Sequence, residues 1–125
     1  MTWGYRDGDS LNSFNNNFTT MQERLLEGYT RYAENISAAG NAVWMAPVGL
    51  AYKTVHDNVL SGGVDPTTSG NLFYDLYSSD GSHPSLSGSY LAACVFHSTT
   101  TGEHCVGSTD SVSYTHLTLP TTCSV

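Results

Sequence analysis

The stretch Asp80-Gly81-Ser82-His83-Pro84 places an acid three positions before a histidine. On a tight turn, that spacing lets the carboxylate accept a hydrogen bond from one imidazole nitrogen while the other nitrogen faces a reacting group. The carboxylate then fixes the tautomer and orientation of the ring. It also stabilises the imidazolium formed when the histidine takes a proton, for instance from a serine hydroxyl. Pro84 disfavours helical angles at His83, so a helix is expected to begin just beyond it and leave His83 on the loop. Asp80 and His83 are therefore candidates for acid–base work, with a purely structural Asp–His turn as the plain alternative. A second reactive group, the hydroxyl of Ser10, lies in Gly8-Asp9-Ser10-Leu11.

The elements that must position these groups can be read from hydrophobic spacing. Thr20 and Glu23 have the spacing of a capping box, and a helix is expected over Met21–Ala39 with Gly40 as its left-handed stop. Leu25, Tyr29, Tyr32 and Ile36 form one stripe, expected to pack in the core. Val43-Trp44-Met45-Ala46 is a continuous apolar run that predicts a short strand buried on both faces of a parallel sheet, ended by Pro47. Tyr52, Val55 and Val59 share one side of a second helix, on which His56 is expected to be partly exposed. Residues 61–79 are a loop rich in Gly, Ser and Thr carrying Phe73, Tyr74 and Tyr77, able either to line a pocket or to pack. Leu86, Tyr90, Leu91, Cys94 and Val95 set a last helix, stopped at Gly102. This alternation predicts an α/β layered domain, although one strand does not make a sheet.

The extended block DGSHPSLSGSYLAACVF, residues 80–96, resembles the last block of the SGNH (GDSL-type) serine hydrolases. The stretches MTWGYRDGD, MQERLLEGY and VWMAPVGLAY are similar to successive segments of one bacterial branch of that family, so the resemblance spans nearly all of Met1–Gly107. It implies that residues 1–111 are the C-terminal portion of a flavodoxin-like three-layer α/β/α domain, with the parallel sheet incomplete in this chain. It further implies an esterase acting on carboxylic esters, either short acyl esters or acetylated carbohydrates, through a Ser-His-Asp triad. His83 would be the general base and Asp80 its orienting acid, with no metal or organic cofactor.

The family also needs a nucleophilic serine and two oxyanion donors, a glycine and an asparagine, each at the end of an earlier strand. Ser10, Gly40 and Asn41 occur in the right order but the wrong settings. Residues 2–7, TWGYRD, are not a buried apolar strand of the kind that presents a nucleophile. Gly40 and Asn41 follow a helix, and only 72 residues lie between Ser10 and His83. The nucleophile is thus expected outside this chain, and the isolated chain is expected to be inactive. The competing class is a non-catalytic extracellular module that binds carbohydrate or protein through exposed Tyr and Trp. In that case Asp80 and His83 would not be hydrogen-bonded and no cleft would lie beside them.

Composition narrows the partners. Four Lys+Arg against eleven Asp+Glu give a net charge of −7, which repels phosphate backbones, so no nucleic-acid partner is expected. No apolar run is long enough for a membrane span. No signal peptide is visible, although the polar, low-charge composition fits a secreted or periplasmic protein. Cys94, Cys105 and Cys123 match no disulfide framework or zinc pattern, and His97 and His104 add no paired ligand spacing, so no metal is expected. A buried Cys94 is the simplest reading, and the spacing leaves open whether Cys94 and Cys105 pair. The run VSYTHLTLPT, residues 112–121, resembles the translation of a transposon adapter used in sequencing libraries. Val112–Val125, with His116 and Cys123, is therefore set apart as a non-native tail. Oligomeric state is not encoded legibly, but an incomplete sheet would leave edges prone to dimerisation or aggregation.

Overall fold

The computed structural model describes residues 1–105; the adapter-like tail, with His116 and Cys123, lies outside them. Three helices dominate: α1 (Phe18–Ala38), α2 (Val48–Ser61) and α3 (Leu86–Thr101), with short 3-10 turns at Ser13–Asn15 and Tyr74–Leu76. Among the described residues there is no sheet, only an isolated antiparallel bridge between Tyr77 and Pro84. The expected three-layer α/β/α arrangement is therefore overturned: the described chain is helical. The physical reason lies at residues 42–45. They take no regular structure, and among the described residues no ladder hydrogen bond reaches them, whereas a strand exists only through its ladder.

α1 begins earlier than the capping-box spacing suggests. Asn17 is the cap, its side chain accepting from the Thr20 amide at 2.9 Å. The helix runs to Ala38, and Gly40 takes the left-handed conformation (φ 83°) just beyond it. Only Phe18 and Gln22 of α1 are buried. The stripe expected in the core is instead at the surface: Tyr29, Tyr32 and Ile36 are exposed, Tyr32 by 73%. Together with Leu25, Trp44 and Phe96 they line an open apolar groove of about 630 Å³ along α1 and residues 43–46.

The core centres on α2. Val48, Ala51, Tyr52 and Val55 of α2 pack with Phe18, Phe73, Leu76, Tyr77, Leu91 and Val95. His56 belongs to this core rather than to the surface. It is 9% exposed, its ring lies 4.8 Å from that of Phe18 and 5.0 Å from that of Phe73, and its Nδ1 is 2.9 Å from Asp57 Oδ1. Phe73 and Tyr77 are thus packing residues, with ring centroids 5.3 Å apart.

α3 is capped by Ser85 and ended by Gly102 at φ 73°. Leu91, Cys94 and Val95 turn inward, while Leu86 is 86% exposed. Gly88 allows a close approach of α3 to the turn before it, since a Cβ there would run into the Leu76 carbonyl oxygen and the Tyr52 hydroxyl. A disulfide joins Cys94 to Cys105 and pins the chain beyond α3 back onto the helix.

Candidate functional site

The link from α2 to α3 passes through the Tyr74–Leu76 turn and doubles back at residues 78–84. The Ser78 amide donates to the His83 carbonyl at 2.9 Å, and the Ser85 amide donates to the Leu76 carbonyl at 2.9 Å. At the tip, Gly81 is left-handed (φ 70°), and its amide closes on the Ser78 carbonyl at 3.0 Å. A side chain at Gly81 would be strained and would press on Asp7 Oδ2 and Arg6 NH2, 3.0 and 3.1 Å from its Cβ.

This loop brings Asp80 and His83 together. Asp80 Oδ2 is 2.6 Å from His83 Nδ1, while Asp80 Oδ1 accepts from the Ser82 and His83 amides, each at 2.9 Å. The His83 and Ser82 amides, followed by the His83 ring, hold the Asp80 carboxyl well below the usual carboxylate range. An ionised Asp80 beside Nδ1 selects the tautomer with the proton on Nδ1, which leaves Nε2 as the basic nitrogen. The His83 side chain is 79% exposed, and among the described residues nothing bonds Nε2. Ser82 Oγ is 3.3 Å from Nδ1, on the side Asp80 already occupies.

Compared with family models, curated proteins and solved structures, the chain matches none.

Ser10 stands where the sequence suggests, on an exposed turn with no strand before it. Gly8 is left-handed (φ 77°), and the Asp9 side chain folds onto the Leu11 amide at 2.9 Å. Gly40 and Asn41 follow α1 and are exposed. The structure brings no serine, glycine or asparagine of this set into contact with Asp80 or His83. The apolar groove lies along α1, apart from the Asp–His loop, and none of its lining residues belongs to that loop.

Sequence reasoning missed the residues that hold the loop from behind. Trp3 Nε1 donates to the Ser82 carbonyl at 3.2 Å, and the Arg6 amide donates to the Gly81 carbonyl at 2.8 Å. Arg6 is buried, its guanidinium 4.1 Å from the Tyr74 ring centre and bonded to Asp7 Oδ2 at 2.7 Å. The Tyr77 hydroxyl donates to the Gly4 carbonyl at 2.7 Å, and the Gly4 amide donates to Gln22 Oε1 at 2.8 Å. Burial pushes the Tyr77 phenol up, so it stays a neutral donor. Residues 2–7 showed no periodicity that could mark them as a buttress, because each anchor uses a different group.

Proposed function

We propose that Asp80 and His83 are the orienting acid and general base of an ester hydrolase whose nucleophilic serine lies outside this chain. The observation that carries this reading is the 2.6 Å contact between Asp80 Oδ2 and His83 Nδ1, with Nε2 left unbonded on an exposed ring. In the proposed reaction Nε2 takes the proton of the attacking hydroxyl, and Asp80 stabilises the resulting imidazolium. His83 then delivers that proton to the departing alkoxide. Short acyl or acetylated carbohydrate esters are the substrate class implied by the resemblance at residues 80–96. Export to a secreted or periplasmic address belongs to the same proposal, and the Cys94–Cys105 bond fits an oxidising compartment.

The test has two arms. The chain alone is expected not to hydrolyse p-nitrophenyl acetate, and hydrolysis lost in both Ser10→Ala and His83→Ala would place the nucleophile here instead. In a protein extended by the reading frame upstream of Met1, His83→Ala is expected to lower kcat by about 10³-fold or more. Full activity in that variant would remove His83 from the chemistry.

A second reading rests on a different observation. Trp44 (80% exposed), Tyr32 (73%) and Tyr29 (39%) stand along the apolar groove, a surface suited to a carbohydrate or protein ligand. A non-catalytic module of this kind would bind its ligand through Trp44 and be indifferent to His83→Ala.

A further inference from the structure

We infer that the indole N–H of Trp3 is a positioning group for the Asp80–His83 pair, so that the N-terminal segment sets which nitrogen of His83 is basic. This inference rests on the proposed acid–base role of that pair. The loop makes its turn at consecutive residues, and two consecutive carbonyls of that turn, Gly81 and Ser82, are each held by a donor from residues 3–6. Holding them fixes the peptide planes on either side of Ser82. The amides of Ser82 and His83, which both bond Asp80 Oδ1, are set by those same planes. With both amides on Oδ1, the carboxylate presents Oδ2 to Nδ1.

The buttress is itself rigidly based. The Trp3 ring stacks on buried Tyr52 at 5.1 Å and 11°, and the segment is tied to α1 and the core through Gln22 and Tyr77. Arg6 adds a floor beneath Gly81: its guanidinium is buried against Tyr74 and would lie 3.1 Å from a Cβ at that glycine. Exposed loops usually reorient freely. This one is held at its tip by a segment more than seventy residues away in sequence.

Trp3→Phe separates the two jobs of the residue, because the phenyl ring can keep the stack on Tyr52 while the donor is lost. The readout is the tautomer of neutral His83, taken from the imidazole ¹⁵N shifts of the full chain. The wild-type protein is expected to show the proton on Nδ1, and Asp80→Asn to lose that preference. Trp3→Phe is expected to move the ratio toward the Nε2–H form by about fivefold, the factor carried by one neutral hydrogen bond. An unchanged ratio in a folded Trp3→Phe protein would overturn the inference. A wild-type His83 already protonated on Nε2 would instead overturn the acid–base reading beneath it. Should Trp3→Phe fail to fold, Tyr77→Phe loosens the same segment at Gly4 and keeps its ring in the core. The ratio is then expected to shift the same way, and no shift would again overturn the inference.

Discussion

Asp80 grips His83 twice, through Oδ2 to the ring Nδ1 at 2.6 Å and through Oδ1 to the backbone amide at 2.9 Å. One carboxylate thus sets both the place of the histidine and the direction of its ring. Asp80→Ala removes both grips and the Ser82 bond with them. Amide hydrogen exchange at Ser82 and His83 is expected to quicken by about tenfold or more, as befits amides that lose a carboxylate acceptor. Asp80→Asn keeps a side-chain oxygen for the amides and is expected to leave their exchange much closer to wild type. Equal exchange in wild type and Asp80→Ala would contradict the double grip.

The pH dependence of the loop follows from the lowered Asp80 carboxyl. A depressed folded-state value means the stabilisation is fully present above the unfolded value, about 3.9 for Asp. It is lost only as the pH falls below that and through the folded value. The Asp80 carboxyl ¹³C shift, followed in His83→Ala so that the neighbouring ring adds no step of its own, is therefore expected to stay flat from neutral pH down to about 4. A midpoint at or above about 4 would show that the amides do not hold it.

Two glycine-to-alanine substitutions are expected to act with opposite sign. Gly88→Ala forces a Cβ against the Leu76 carbonyl and Tyr52 hydroxyl and should cost about 1–3 kcal/mol as overpacking. Gly28 lies in the middle of α1 with open space around it, so Gly28→Ala should add about 0.5–1 kcal/mol through helix propensity. Urea unfolding of the two variants checks both signs.

Reduction of Cys94–Cys105 should lower stability. The bond closes a short loop with a sequence separation of 11, worth about 3 kcal/mol on the chain-entropy relation. Thermal unfolding with and without a reductant measures this, and the Cys105→Ser variant should match the reduced wild type.

How far the sequence spoke differs from one element to the next. The Asp80–His83 pair was legible because the bonds Asp80 makes to Ser82 and His83 span only two or three positions, where local spacing dictates geometry. The presence of α2 and α3 and the stops at Gly40 and Gly102 were legible from equally local spacing. The α1 stripe misled, since helical periodicity says that a face is apolar but not what covers it. Here Tyr29, Tyr32 and Ile36 face a groove, and the core takes Phe18 and Gln22 instead. Val43–Ala46 carried the composition of a buried strand, but a strand needs a paired neighbour, and among the described residues no ladder forms there; the Met1 amino group bonds the Ala46 carbonyl instead. The Trp3, Arg6 and Tyr77 anchors were illegible because each bond spans more than seventy residues and uses a backbone carbonyl that any residue could supply.

The two tryptophans stand in opposite surroundings, and light can tell them apart. Trp44 is bathed in water beside the groove, whereas Trp3 is stacked on Tyr52 with its indole N–H engaged. Trp44 should emit to the red and be quenched readily by iodide, while Trp3 should emit to the blue and be shielded. A molecule seated in the groove would then shift the first emission alone, and loosening of the Asp80–His83 loop would register in the second. The chain carries its own pair of lamps, one for each of the two surfaces on which its function could rest.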